Sequence, residues 1–378
     1  MSGRVDPTFG GSFAGSKVLV TGHTGFKGGW LSAWLLKLGA KVSGLSLPPE
    51  PGQGFFCSTD IESRITNRYA DIGDAAALED ALKGVDAEIL FHLAAQPLVR
   101  SSYRNPAETF RTNVSGTAHV LDMARKMPSL RAIVVITSDK CYDNKEWSWG
   151  YRENDPLGGR DPYSASKGCT ELVAHSYRHA FFDDPDGAQL ATARAGNVFG
   201  GGDWGEERLV PDIVRAGASG IPVPIRNPEA VRPWQHVLEP LSGYLALAAA
   251  LLDHGKQYAG AWNFGPDLAG SINVRDLVTM ILASWGGNAP SIAFPAGART
   301  LDFNMHEAGI LRLDSTKAQT QLGWRPQLDL PTAIAMTIDW YRAHARRADM
   351  SELSAQQIRF YSERMASDVI GSSAFVVE

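Results

Sequence analysis

The 378-residue chain is poor in the features that mark several common kinds of protein. Its 3 cysteines, Cys57, Cys141 and Cys169, lie far apart and form no CxxC pair. That argues against a zinc ribbon or a disulfide scaffold and suits a reducing compartment. No apolar run reaches the roughly 18 residues that span a bilayer, and the longest, Ala/Leu-rich around 244–252, is too short. The opening stretch MSGRVDPTFGGSFAG has little charge and no apolar core segment, so no secretory signal is read there; residues 1–16 are expected to be a flexible arm. With a formal net charge of −5, no basic field draws the chain to nucleic acid or anionic lipid. The expectation is a cytoplasmic protein with no membrane or nucleic-acid partner and no metal site.

The material that is present is globular, with 44% hydrophobic and 20% charged residues, enough for one large or two ordinary domains. The first half alternates between two periodicities. KVLVT at 17–21 reads as a strand, and FKGGWLSAWLLKLG as a helix closing at Gly39. KVSGLSL, RYADI, EILFHLAA and RAIVVITSD are further strands, separated by a loop from Pro48 to Gly54 and by helical patterns in AAALEDALKG and from Ala107 to Met127. Val- and Ile-rich strands alternating with helices predict an α/β fold, a Rossmann-like doubly wound parallel sheet. After about Asn197 the chain is rich in Gly and Pro, with helices expected at 276–285 and 330–346. The expected division is a flexible arm over 1–16, a dinucleotide-binding domain over 17–196 completed by parts of 232–270, and a smaller, loop-rich C-terminal substrate domain from 197–231 and 271–378. Ligands in such sheets sit outside the carboxyl ends of the strands.

The first strand runs into TGHTGFKG. Gly22 permits a tight turn, Gly25 lets backbone amides approach a pyrophosphate, and Gly28 allows close helix-strand packing. The spacing is one residue longer in its first gap than GxGxxG, with His23, Thr24, Phe26 and Lys27 filling the loop. At the end of the second strand, GLSLPPE puts Ser46 where a carboxylate would hold a ribose hydroxyl; Glu50 lies further along, and no Arg or Lys follows to meet a 2′-phosphate. The cofactor read from this pattern is NAD. Asp71 and Ile72 face the adenine, or Asp71 is a loop residue. Leu93, Ala94 and Ala95, after the fourth strand, complete the expected cofactor wall.

Two segments carry chemistry, ITSDKCY and DPYSASKG. Tyr163 and Lys167, four apart on a helix, share a face. An ammonium nearby lowers a tyrosine from about 10 towards working pH, so that it takes a proton from an alcohol as hydride leaves for nicotinamide. Tyr-x-x-x-Lys is commonplace on solvated helices; after a dinucleotide loop, and with Ser138 on the preceding strand, it becomes specific.

The segments TGHTGFKGGWLS, FHLAAQPLVRSSY, TSDKCYDN, PYSASKG, RAGNVFGGGDW and RPWQHVLEPLSGYL, spread over about 17–325, resemble the extended short-chain dehydrogenase/reductase family of NAD-dependent epimerases and dehydratases. Within it they resemble the CDP-glucose branch of the nucleotide-sugar 4,6-dehydratases. The resemblance implies a lyase acting on CDP-glucose. Oxidation at carbon 4 makes the carbon 5 proton acidic, water is eliminated across carbons 5 and 6, and hydride returns to carbon 6. It assigns Tyr163 as the base for oxidation, Ser138 as a hydrogen-bond partner of the carbon 4 oxygen, and Lys167 to the cofactor ribose. Asp139 is the acid for the departing 6-hydroxyl. Lys140 stands where other branches carry a glutamate base; two roles are open to it, a base with a lowered pKa or an electrostatic stabiliser of the enolate. Asn197 and Arg232 are implied near the diphosphate, Leu209, Val210 and Pro211 in the base pocket, and Gln96 near the sugar. Relatives pair through two helices, implying a homodimer or homotetramer built on the Ala107 to Met127 segment and the Tyr163 helix.

Two competing readings remain: a nucleotide-sugar epimerase, which needs no acid at Asp139, and an inactive NAD-binding sensor, which needs the glycine loop but not Ser138, Tyr163 and Lys167. His175 and His179 form HxxxH without the adjacent Glu of a metalloprotease and are expected on an exposed helix face. His92 is expected as a satisfied core histidine. Arg342, Arg346 and Arg347 read as a solvated face, and Cys141 has no evident base beside it.

Overall fold

Seven strands form one parallel sheet in the computed structural model, which describes residues 8–373 apart from 53, 221, 226, 268–269, 288 and 294–307. They are β1 (Lys17–Thr21), β2 (Lys41–Ser46), β3 (Thr66–Tyr69), β4 (Ile89–His92), β5 (Ala132–Ile136), β6 (Gln189–Ala195) and β7 (Gly260–Phe264). Their order is 7-6-5-4-1-2-3, every pair parallel. The order reverses at β1, where Thr21 is in register with Leu45 on one side and His92 on the other. That reversal opens a crevice at the carboxyl edge of the sheet.

The strands read as unbroken apolar runs because both faces are covered. Val18 and Val20 enter one core and Leu19 the other; Ala132, Val134 and Ile136 alternate in the same way with Ile133 and Val135. Crossovers run through α1 (Phe26–Lys37), α2 (Ala75–Leu82), α3 (Gly116–Ala124) and α4 (Pro162–Phe181). Beyond β6 the chain leaves through α5 (Leu209–Ser219) and returns as α6 (Leu238–His254), whose Leu241, Leu245 and Leu251 join α1 on one face. It then adds β7, an edge strand, and ends in α7 (Val274–Trp285), α8 (Leu330–Ala345) and α9 (Met350–Ser373). Among the described residues no helix is long and apolar enough to cross a membrane.

Several elements differ from the sequence reading. Residues 8–16, expected within a flexible arm, are docked: Phe13 is buried, Phe9 meets the Trp34 ring edge-on at 6.0 Å, and Gly15 N donates to Gly39 O at 2.9 Å. Residues 1–7 of that arm lie outside the described residues. The strand sought in RYADI ends at Tyr69, so Asp71 and Ile72 lie in the loop beyond it. The helical segment from Ala107 is interrupted by a π turn at Arg111–Ser115, a geometry favoured at functional sites. There the buried Asn113 donates to Ser166 Oγ and Gln96 O and accepts from Gln96 N at 2.8 Å, fixing the loop after β4.

Helix α9 was not anticipated, because much of its inner face is polar. Ser354 accepts from Trp340 Nε1, Gln357 donates to Met336 O, and Tyr361 is buried among Trp34, Ser242 and Glu239. Glu239 itself is a buried carboxyl on α6. It accepts from Gln327 N at 3.0 Å, Leu328 N at 2.7 Å and Tyr361 Oη at 2.5 Å, joining α6, the approach to α8, and α9.

Burial pushes Glu239 up from 4.5 to about 7. The folded state therefore holds a proton that the unfolded chain has lost, so the stability this group contributes is full below pH 4.5 and is lost as pH rises through about 7. Glu239→Gln, neutral at every pH and still an acceptor for Leu328 N, is expected to flatten that decline in Tm measured by calorimetry. An unchanged pH slope would show that Glu239 enters the fold ionised.

Candidate active site

A cavity of about 1620 Å³ opens along the carboxyl edge of the sheet, walled by the loops after β1, β2, β4, β5 and β6, by the start of α4 and by α5. At the β1 end the glycine loop is shaped by contact. Gly22 has φ +78°, and a Cβ there would lie 2.8 Å from Ala94 N; a Cβ on Gly28 would lie 2.1 Å from Gly22 O. Gly25 caps α1 without any side-chain cap, and a Cβ there would meet only Gly22 O, at 3.2 Å. The first-turn amides of α1 thus face the cavity through bare backbone, a cradle that fits a dinucleotide pyrophosphate.

The remaining cofactor candidates divide. Thr24 Oγ1 and Ser46 Oγ lie 2.7 Å apart on the cavity wall, and Leu93, Ala94 and Ala95 line it beside them. Phe26 and Ile72 also line it. Asp71 borders the cavity but is committed to Arg111 Nη2 at 2.6 Å and Gly73 N at 2.8 Å; against the upward push of partial burial, these bonds hold its carboxyl below the usual range. His23 turns away: its ring sits against Gly44 and edge-on to Phe56, Nε2 meets Asn67 Oδ1 at 3.1 Å, and burial lowers its pKa. Lys27 lines the cavity and makes no hydrogen bond or ion pair to a described residue. Enclosure, then the charges of Arg208 and Lys167, push it down to about 8. A lysine in the first turn opposes the helix dipole, and the carboxyls of Asp139 and Asp203 act on it in the opposite sense, raising it.

The catalytic candidates converge on the far wall. Helix α4 starts where Asp161 accepts from Ser164 N at 2.9 Å and Pro162 presets the first turn. Tyr163 and Lys167 then project inward, both buried. Tyr163 faces Ser138, whose hydroxyl draws its pKa down, yet burial wins and pushes Tyr163 up to about 12. The net lowering expected from a neighbouring ammonium is not seen, because burial of the hydroxyl outweighs it; Lys167 is itself pushed down to about 8 by burial and bonds Ile136 O at 3.4 Å. Ser138, two residues beyond β5, caps a 3₁₀ turn at Asp139–Cys141: its Oγ donates to Asp139 Oδ1 at 2.9 Å and accepts from Lys140 N at 3.2 Å. Asp139 Oδ2 is buried without a partner among the described residues, and burial raises the pKa of the carboxyl. The group is therefore disposed to carry a proton. Lys140 is half-buried beside it on the cavity wall.

On the opposite wall stand Asn197, just beyond β6, Leu209, Val210 and Pro211 in the first turn of α5, and Arg232. Arg232 is buried, its guanidinium donating to the carbonyls of Val231, Ala308 and Gly309. Gln96 lines the cavity and also holds the loop after β4: Nε2 donates to Thr109 Oγ1 and Oε1 accepts from Leu98 N. Arg208 was missed by the sequence reading. It precedes α5, lines the cavity and donates from Nη1 to both Asp203 oxygens at 2.9 Å. Its position beside the Leu209-Val210-Pro211 turn was the available signal.

The residues set aside behave variously. His92 is held between Thr21 Oγ1 at 2.7 Å and Thr117 Oγ1 at 3.0 Å, and His175 and His179 are exposed. Arg346 and Arg347 are exposed, but Arg342 is half-buried and donates to Trp285 O, so that face is only partly solvated. The Cys141 thiol is buried and pushed well up.

Residues 19–337 match the family model described as GDP-mannose 4,6 dehydratase. The chain is 45% identical over 351 residues to a CDP-glucose 4,6-dehydratase of Salmonella typhimurium, covering 92% of this chain and 96% of that one. It is 28% identical over 332 residues to a UDP-glucose 4-epimerase of Mycolicibacterium smegmatis, covering 86% and 98%. Among solved structures, a dTDP-glucose 4,6-dehydratase from Streptomyces venezuelae with NAD bound superposes with a TM-score of 0.74 at 26% identity, covering 89% of this chain and 99% of that one.

Lys27→Met, which keeps the apolar stem and removes the charge, is expected to weaken NAD binding about tenfold, the scale of one charge-assisted hydrogen bond. Calorimetric titration of the purified protein with NAD checks this. Wild-type affinity in the variant would show that the ammonium does not reach the cofactor.

Proposed function

The chain belongs to the GDP-mannose 4,6 dehydratase family, and from that membership we propose that it is a cytoplasmic CDP-glucose 4,6-dehydratase, converting CDP-D-glucose to CDP-4-keto-6-deoxy-D-glucose and water. The observation that carries the reading is the Asp139 carboxyl, buried, inclined to hold a proton and with Oδ2 unpartnered beside Ser138. An epimerase has no hydroxyl to expel and no use for such an acid. Likeness to the Salmonella enzyme supports the choice of nucleotide.

NAD, held by the glycine loop, Ser46, Tyr163 and Lys167, supplies a hydride acceptor for carbon 4 and the hydride that later returns to carbon 6. Ser138 holds the carbon 4 oxygen while Tyr163 takes its proton. With its pKa at about 12, Tyr163 carries its own proton at working pH, so it takes the substrate's proton only as the tyrosinate, after that proton has been released. The ketone then acidifies carbon 5, and Lys140 serves that step as the base itself or as the charge that stabilises the enolate. Asp139 protonates the departing 6-hydroxyl, which leaves as water. A proton regained at carbon 5 together with hydride at carbon 6 closes the balance, and no external oxidant is consumed. Asn197 and Arg232 meet the diphosphate, with Leu209, Val210 and Pro211 against the base.

The working form is a homodimer or homotetramer, paired through the Ala107 to Met127 segment and α4, a reading supported by the exposed Phe110, Leu172 and Phe181 on those helices. Light scattering is expected to give at least twice the 40.9 kDa chain mass; a monomer at micromolar concentration would overturn the pairing.

Purified protein with NAD is expected to remove one water from CDP-glucose, followed by mass, and not from dTDP-, GDP- or UDP-glucose. Another preferred nucleotide would keep the mechanism and overturn the substrate. Asp139→Asn should lower elimination by about 10²-fold or more, the scale of a lost general acid, while sparing the first oxidation; unchanged water loss would remove Asp139 from its role. Tyr163→Phe should abolish turnover. Wild-type protein that binds NAD but releases no water from any of the four sugars would favour the epimerase or the sensor.

A further inference from the structure

Behind the catalytic wall lies a buried ion pair that the proposed reaction does not use. Glu171, one turn beyond Lys167 on α4, and Arg194, on β6, have side chains only 3% and 4% exposed and meet at 2.8 Å. Both Glu171 oxygens are occupied: Oε1 accepts from Thr137 Oγ1, and Oε2 accepts from Thr192 Oγ1 at 2.7 Å as well as from Arg194 Nη2. Against the upward push of burial, these partners hold Glu171 below the usual carboxylate range, so it is ionised.

The bond to Thr137 matters because of what flanks it. Thr137 immediately precedes Ser138 and Asp139, and its own N–H is fixed to Ala193 O at 2.9 Å. Three successive turns of α4 therefore grip three successive residues at the end of β5: Tyr163 meets Ser138, Lys167 meets Ile136 O, and Glu171 meets Thr137. The first two grips are soft, a hydroxyl pair and a 3.4 Å contact. The third is charge-assisted and closed on every side, and charge-assisted bonds are the stronger class.

We propose that Glu171 is a positioning residue for the reaction, tying the strand end that presents Ser138 and Asp139 to the helix that presents Tyr163 and Lys167, and backing the Lys167 ammonium with a carboxylate one turn away. The inference rests on the roles given to Tyr163, Lys167 and Ser138 above. The groups acting on Lys167 are Glu171 on its own helix, Cys141 from the 3₁₀ turn, His92 from β4 and Lys27 from α1. Burial leaves the Cys141 thiol protonated and pushes His92 down to about 3, hence neutral, and Lys27 is cationic. Glu171 is thus the full negative charge in this set. On the far side Arg194 holds Tyr142 Oη at 2.8 Å and Glu153 O at 3.0 Å, so the same network anchors the segment that follows the catalytic turn.

The two parts of this role separate by substitution. Thr137→Val removes the tether and no charge. It is expected to lower kcat about tenfold through misplacement of the strand end, with KM for CDP-glucose changed by no more than about twofold and Lys167 titrating as in wild type. Glu171→Gln keeps an acceptor for Thr137 and removes the charge. Lys167, followed by ¹³Cε NMR in protein without added NAD and assigned with Lys167→Met, is expected to titrate about one unit lower. The matching inflection of kcat/KM should move the same way.

Wild-type kcat in Thr137→Val overturns the tether. A lower Tm in Glu171→Gln with the Lys167 titration unmoved overturns the electrostatic part and leaves a purely structural pair. If Glu171→Gln does not fold, because Arg194 is then buried without its counter-charge, Glu171→Gln/Arg194→Met is read against Arg194→Met, and an equal Lys167 titration in those two variants overturns the electrostatic part. Tyr163→Phe is measured alongside: turnover at the wild-type level in that variant would sink the underlying assignment of the catalytic set, whichever way Glu171 behaves.

Discussion

Helix α1 can lie against the end of β1 only because Gly28 brings no Cβ to the Gly22 carbonyl, where 2.1 Å would separate them. Much else depends on that approach. With α1 seated, its uncapped N-terminus points into the crevice where strand order reverses, and Trp30 reaches Gly201 O at 2.9 Å. That bond ties the dinucleotide end of the molecule to the loop carrying Asp203 and Arg208. Trp34 and Leu35 on the same helix join the core that α6, α8 and α9 cover. A side chain at position 28 would have to lift the helix, and with it the cofactor cradle and the substrate loop together.

The cavity wall shows a common electrostatic direction. Lys27 and Lys167 are driven down, Tyr163 and Asp139 up, and in each case burial is the largest cause. Enclosure pushes each group towards its neutral form, which brings Lys27, Lys167 and Asp139 closer to working pH and takes Tyr163 further from it. Behind the wall the logic is reversed. Glu171 and Arg194 are equally buried but remain charged, because they pair with each other and Glu171 also accepts from Thr137 and Thr192 while Arg194 holds Tyr142 Oη and Glu153 O. A rigid ionic layer supports a titratable one, which is how a site can hold geometry while protons move.

Much of this was legible beforehand, for identifiable reasons. Strands covered on both faces must be apolar throughout, so KVLVT and AIVVI announce themselves, and glycines that close approach demands stand out at 22 and 28. Tyr163 and Lys167 share a helix, so their proximity follows from spacing alone. The misses share a cause as well. Helix α9 buries Ser354, Gln357 and Tyr361 against Trp340, Met336 and Glu239 on other elements, so its inner face carries weak apolar periodicity. Phe9 and Phe13 look like parts of a flexible arm until Trp34 and the core are present to receive them. His23 sits in the phosphate loop by sequence, but the pocket beneath Gly44 and beside Phe56 takes its ring away from the cavity.

The sequence by itself determined the class of sheet, the crevice it opens, the cofactor loop and the Tyr-Lys pair, since each rests on local spacing or on an alternation that every fold of this type must obey. Tertiary structure alone decided which partners the polar side chains find. Gln96 and Asp71 border the cavity and bond Thr109, Leu98, Arg111 and Gly73, whereas Asp139 keeps an open oxygen. It also brought Arg208 to the wall and Glu171 to Thr137, 34 positions apart in the chain. A hydrogen-bond partner is a matter of where two distant segments meet, and local propensity carries no record of that meeting.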